Sequence, residues 1–268
     1  MNWLDFTKFW IVMSFSSALS GIAIASDPSD AQLRADLQRV ASMRIYFGHQ
    51  SVGSNILDGV KQLSTNTDIP FQIAEIPTAK DVPSSTLGHV RVGENGNPEE
   101  KLASFDQAIG IAPIDLDVAL VKFCYVDFSA DTDVKTLFSS YVRTVERIKQ
   151  RHPQLTLIHI TAPLTAVQTG PKAFIKRMIG QAPYGILENM RREEYNMMLR
   201  SKYQGTEPLF DLARIESTNP DGTSAITAWN SLRAPHLSNA YTDDGSHLNP
   251  KGRIHAATSF VRLLATYR

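Results

Sequence analysis

The sequence predicts a single α/β domain, three layers deep, with a five-stranded parallel sheet between two helical layers. Three observations predict it. Short apolar runs alternate with longer stretches of helical periodicity along most of the chain, the pattern of parallel strands joined by crossover helices. The run Val118-Ala119-Leu120-Val121 is continuously apolar, as a strand covered by helices on both faces must be. The longest connections all follow predicted strands, so they gather at the sheet edge where open α/β folds bind their ligands.

Each element follows in turn. Met43-Arg44-Ile45-Tyr46-Phe47 reads as the first strand, ending at Gly48, and Val52, Ile56, Val60 and Leu63 recur at helical spacing directly after it. Phe71-Gln72-Ile73-Ala74-Glu75-Ile76 is the second strand and Val118 to Val121 the third. Val134, Leu137, Phe138, Tyr141, Val142, Val145 and Ile148 form an amphipathic stripe that stops before Pro153. Leu155-Thr156-Leu157-Ile158-His159-Ile160 is the fourth strand and Pro208-Leu209-Phe210-Asp211-Leu212 the fifth, with a helix over about residues 186–203 between them. Asn249 is placed to cap a last helix, Pro250 suits its first turn, and Ala256, Ala257, Phe260, Val261 and Leu264 form its buried stripe. Three connections remain, about residues 77–115, 161–185 and 215–248, longer than the ~15 residues a loop without a task usually reaches.

The N-terminal residues carry a different message. Lys8 precedes an apolar run from Phe9-Trp10-Ile11-Val12-Met13 to Ile22, closed by Ala23-Ile24-Ala25, the small-x-small pattern that signal peptidase accepts. The expectation is a signal peptide over residues 1–25, a domain over 26–268, and an exported protein, periplasmic or secreted; an uncleaved anchor is the alternative. No other stretch approaches the ~20 apolar residues that span a bilayer, so no membrane span is expected after processing. Lys+Arg and Asp+Glu both total 27 among 268 residues, a balance that favours neither nucleic acid nor an anionic membrane as partner. Cys124 is the only cysteine, which excludes an internal disulfide and at a strand end reads as a small buried hydrophobe.

Two short segments could carry chemistry. Gly48-His49-Gln50-Ser51-Val52-Gly53 joins the first strand to its helix. A serine there has its hydroxyl at the sheet edge and its amide at a helix N-terminus, where the dipole favours an oxyanion; Ser51 is also an ordinary N-cap residue, and Ser54 is a competitor one turn on. Asp243-Asp244-Gly245-Ser246-His247-Leu248-Asn249-Pro250 lies far along the chain. Its Asp244-x-x-His247 spacing lets a turn bring the carboxylate back onto the imidazole, although a polar turn before a capped helix has the same composition. In a flavodoxin-like sheet of order 2-1-3-4-5, both segments reach the same edge.

The chain order Ser…Asp…His, with the last two three residues apart, resembles the SGNH (GDSL-like) hydrolases. The family's Gly-Asp-Ser block is represented by Gly48-His49-Gln50-Ser51, one residue longer and without the Asp, and its Asp-x-x-His block by Asp244 and His247. The resemblance implies Ser51 as nucleophile, His247 as general base, Asp244 as its orienting acid, and no cofactor and no metal. The family's Gly-x-Asn-Asp block, which supplies oxyanion donors, has no counterpart in Lys122-Phe123-Cys124-Tyr125-Val126-Asp127. Gly93-Glu94-Asn95-Gly96-Asn97-Pro98 offers Gly93 and Gly96 amides, with Asn95, Lys122 or Tyr125 as the side-chain donor; His49, Gln50 and Asp127 complete the expected site. The implied function is an exported serine ester hydrolase or acyltransferase acting on a small-molecule or carbohydrate ester through an acyl-serine. Two rivals stand beside it: a glycan-binding module on the same fold, and a glycosidase using Asp127 with Asp244 or Glu94. Lys172, Lys176 and Arg177 form a basic cluster that reads as a solvated face or as contacts to an acidic polysaccharide.

Overall fold

A computed structural model of the chain describes residues 28–267. The expected signal peptide lies outside the described residues. Helix α1 (Pro28–Ala41) leads into β1 (Arg44–His49), which passes through a single residue into α2 (Ser51–Thr67). Strands β2 (Gln72–Glu75) and β3 (Thr86–Arg91) precede α3 (Pro98–Ile109), and β4 (Val118–Val121) precedes α4 (Val134–Arg151). After β5 (Thr156–Ile160) come α5 (Pro171–Met178) and α6 (Leu187–Tyr203), then β6 (Leu209–Phe210) and α7 (Leu212–Ser217). A two-stranded antiparallel hairpin, β7 (Ile226–Trp229) and β8 (Leu232–Pro235), leads to α8 (Pro250–Leu264).

The main sheet is parallel and six-stranded, in the order β2-β3-β1-β4-β5-β6. The expected five strands are all present, but β3 stands between the expected first and second strands, so the order 2-1-3-4-5 gains a member. It is hidden in the first long connection because Thr86-Leu87-Gly88-His89-Val90-Arg91 carries a glycine and three polar residues and shows no apolar run. The other long connections hold α5 and the β7–β8 hairpin.

Two apolar layers close the sheet. One packs Leu37 of α1, Val52, Ile56 and Val60 of α2 and Phe260 of α8 against Ile45 and Phe47. The other packs Phe105 of α3, Tyr141 and Val145 of α4 and Tyr195 of α6 against Tyr46 and Ala119. The stripe of α4 lies inward as its spacing requires, with Asp133 capping it through Thr136 N, and Asn249 caps α8 by accepting from Gly252 N.

The tightest seam joins α2 to α8. A Cβ at Gly59 would stand 2.3 Å from the Arg253 carbonyl oxygen and 2.7 Å from the Ala257 Cβ, so only glycine lets the helix backbones come this close. Asn55 adds a polar tie: its buried side-chain oxygen accepts from Leu248 N at 3.0 Å. These contacts fix the start of α2 relative to the turn before α8. Replacing Gly59 by Val should force the helices apart and cost about 1–3 kcal/mol as an overpacked core site; urea unfolding of the variant beside the parent measures it.

Candidate functional site

Strand order reverses around β1, whose neighbours are β3 and β4, and at such a point the loops beyond the strand ends diverge and leave a crevice. Ser51 is the first residue of α2, and the turn over residues 242–248 reaches it from the other end of the chain. That turn is closed by an antiparallel bridge between Thr242 and Leu248. Asp244 organises it: its Oδ1 accepts from the amides of Ser246 and His247, each at 2.8 Å. Gly245 sits at φ +83°, a left-handed turn position that glycine takes without strain.

The side chains then line up. Asp244 Oδ2 lies 2.7 Å from His247 Nδ1, and His247 Nε2 lies 3.1 Å from Ser51 Oγ. Desolvation pushes the Asp244 carboxyl up, but the two amides and the His247 ring outweigh it and hold the group well below the usual carboxylate range. An ionised carboxylate only accepts, so Nδ1 carries the imidazole proton and Nε2 is left to accept from the serine hydroxyl. The Tyr125 hydroxyl stands 3.5 Å from the same Nε2, its ring edge-on to the imidazole. The Asp244 and His247 side chains are 57% and 38% exposed, so the row of three opens directly to solvent.

The start of α2 is unusual. Its N-cap, Gln50, makes no side-chain cap bond, because its side-chain nitrogen donates to the Val92 and Gly93 carbonyls at 2.8 Å each. The first-turn amides of α2 are therefore not capped by a side chain, and the turn at Gly93 is tied to Gln50, the residue before Ser51. His49 is fully buried and turned away: Nδ1 donates to the Gln50 carbonyl at 2.8 Å and Nε2 accepts from His89 at 3.1 Å. Gly53 makes room for it, since a Cβ there would lie 2.3 Å from His49 Cβ.

Several expected donors are committed elsewhere. Lys122 is fully buried and donates to the Phe123 carbonyl at 2.8 Å, with burial pushing its pKa down. Asp127 forms a buried ion pair with Lys101, 2.6 and 2.8 Å from its two oxygens. The Gly96 and Cys124 amides also donate to Asp127, at 2.9 and 2.7 Å. The Gly96 amide is thereby spent on Asp127, while Asp127, expected in the site, supports it from beneath. Asn95 is the exposed member: its side-chain oxygen accepts from Lys101 Nζ at 3.1 Å, which leaves its amide nitrogen to other partners. Glu94 is exposed, its amide donating to Glu100. The glycosidase pairing thus finds Asp127 neutralised by Lys101 and Asp244 engaged with His247.

Sequence reasoning missed Lys101 and Asn55. Lys101 had a faint signal, a lysine beside Leu102 and Phe105 on what became the buried stripe of α3. Arg192 was missed too; it is fully buried and donates to the Tyr125 carbonyl through two nitrogens, at 3.1 and 2.9 Å, which fixes the turn carrying Tyr125.

No family model and no curated protein matches this chain. Solved structures do. A peptidoglycan O-acetylesterase is similar at 11% identity, over 88% of this chain and 95% of its own, with a TM-score of 0.50. A lipase/acylhydrolase from Enterococcus faecalis is similar at 14% identity, over 84% and 96%, with a TM-score of 0.47. The periplasmic domain of a lipopolysaccharide acetyltransferase from Salmonella ser. Paratyphi A is similar at 12% identity, over 88% and 95%, with a TM-score of 0.41. The chain shares its α/β/α fold with the peptidoglycan O-acetylesterase.

Two stability predictions follow from this geometry. Lys101→Met leaves a buried carboxylate unpaired and should cost about 3–5 kcal/mol, whereas Lys101→Met with Asp127→Leu should cost less than the single change; urea denaturation of the three proteins decides. The second concerns acid. Burial holds the His49 imidazole down to about 3 and that of His159, on β5, to about 4, while both titrate near 6.5 when unfolded. Below pH 6.5 the unfolded chain therefore binds more protons than the folded one, and stability falls as pH drops toward 4. Each histidine contributes about 1.4 kcal/mol per pH unit within that window. Unfolding free energies at pH 7, 6 and 5 should show the loss, and His49→Asn should make it shallower.

Proposed function

We propose that this chain is an exported serine ester hydrolase, able to pass its acyl group to water or to another hydroxyl. The observation that carries the reading is the unbroken run Asp244 Oδ2–His247–Ser51 Oγ, at 2.7 and 3.1 Å. The SGNH-type fold supports acyl chemistry on this edge. His247 Nε2 takes the Ser51 proton as Oγ adds to the ester carbonyl, and Asp244 stabilises the imidazolium that forms. The tetrahedral oxyanion is held by the Ser51 amide at the open start of α2, by the Gly93 amide and by the side-chain amide of Asn95. His247 then returns its proton to the departing alkoxide, leaving an acyl-serine and an alcohol. Water, deprotonated by the same nitrogen, releases the acid.

An O-acylated carbohydrate is the substrate class we favour. A triad open to solvent accepts a bulky sugar alcohol carrying a small acyl group, and the fold is shared with a peptidoglycan O-acetylesterase. Ser51→Ala should lower kcat/KM for p-nitrophenyl acetate by about 10⁴-fold or more. A fluorophosphonate probe should label the parent on Ser51, located by mass spectrometry. Absence of both turnover and label in folded protein would overturn the reading and leave the glycan-binding alternative on the same face. Asn95→Ala should lower kcat by about 10²–10³-fold with little change in KM, the mark of a donor used in the transition state.

A further inference from the structure

Helix α5 is built inside out. It spans Pro171–Met178 in the connection after β5 and buries Ala173 against the protein. Its large apolar residues face solvent: Phe174 is 65% exposed, Ile175 58%, Met178 72%, and Ile179 just beyond it 63%. At 3.6 residues per turn these four share one stripe, opposite Ala173. Soluble proteins rarely gather exposed apolar side chains in this way without a partner for them. Lys172, Lys176 and Arg177 flank the stripe, and the helix has no acidic residue. The even charge of the whole chain, 27 against 27, hides this local excess of cations.

The surroundings extend the surface. Arg177 lies 5.8 Å from the ring centroid of Trp229 on the β7–β8 hairpin, and Leu232 of that hairpin is 58% exposed. The segment leading to α5 runs along the catalytic turn, with the Ala166 amide donating to the Gly245 carbonyl at 2.8 Å. That bond joins the connection carrying α5 to the turn that holds His247.

We propose that α5 docks this protein on an anionic lipid bilayer, with Phe174, Ile175, Met178 and Ile179 entering the headgroup–acyl boundary while Lys172, Lys176 and Arg177 meet anionic headgroups. Apolar tips flanked by cations are what an interfacial helix requires, and lysine and arginine stems reach back to the headgroup level from such a position. A second copy fits poorly, because two stripes face to face would bring six cations together. The attachment is peripheral: among the described residues no helix is long and apolar enough to cross a membrane. Docking through α5 does not depend on which ester the Ser51 site cleaves.

The test is co-sedimentation of the processed protein, residues 26–268, with vesicles. Equimolar phosphatidylglycerol and phosphatidylcholine is compared with phosphatidylcholine alone. The protein should bind the anionic vesicles at least about tenfold more tightly, and added salt should weaken that binding. Phe174→Ser with Ile175→Ser, and separately Lys172→Glu with Lys176→Glu, should each lower the binding about tenfold or more at unchanged Tm. Ser51→Ala should bind like the parent, which separates this proposal from the acyl chemistry. Failure of the parent to bind, binding by either surface variant as tight as the parent's, or a dimer in sedimentation velocity that Phe174→Ser with Ile175→Ser dissolves, would overturn it.

Discussion

The spacing between α2 and α8 governs the functional face of this molecule. The two helices begin at opposite ends of the proposed mechanism, α2 with Ser51 and α8 directly after the turn that carries His247. Where the Gly59 backbone meets the Arg253 carbonyl, no side chain intervenes, and Asn55 ties α2 to the Leu248 amide. A hydroxyl and an imidazole can stay at hydrogen-bond distance only if the elements carrying them cannot slide. Here that rigidity comes from close backbone packing, and the site is a surface expression of the seam beneath it.

The loops around the site need a different kind of support, since loops bring little apolar surface to bury. Charged groups supply it. Lys101 and Asp127 join the turn at Asn95 and Gly96 to the turn at Cys124 and Tyr125. Arg192 clamps the Tyr125 carbonyl, and Glu216 accepts from the Leu164 amide at 2.7 Å. Burial pushes the Glu216 carboxyl up to about 8, so near neutral pH it supports this loop as a neutral acceptor rather than as a charge. Buried charges with several hydrogen bonds keep one geometry and resist rearrangement. They do for this rim what interdigitated apolar side chains do for the layers below.

The readable parts of the sequence were those where one physical demand acts on consecutive residues. Continuous burial wrote β4 as four apolar residues, and one-sided burial wrote α4 as a stripe. The Asp244-x-x-His247 spacing was legible because a single local turn makes that contact. Ser51 was legible through its place between a strand and a helix. By contrast, β3 pairs on both edges yet shows no apolar run, since Gly88 must make room for Val82 at its Cβ position and His89 partners His49. Lys101, Asn55 and Arg192 do their work on partners dozens of residues away, and nothing local marks them. Asp127 and Lys122 were placed in the site by their nearness to a strand end. Their side chains turn inward, a choice made by the charge and space that other segments provide.

The contact between His247 and Ser51 spans 196 positions of sequence, and that separation governs when the molecule becomes competent during synthesis. A chain emerging N-terminus first displays its serine early, on a helix whose partner α8 has not yet been made. Until the last tenth of the described residues follows, the hydroxyl has no base and the sheet lacks the helix that seals one of its faces. Partial chains are therefore chemically silent whatever their degree of collapse. On the proposed mechanism, reactivity arrives together with final docking, so a site assembled this way stays inert along its route and is completed where folding ends.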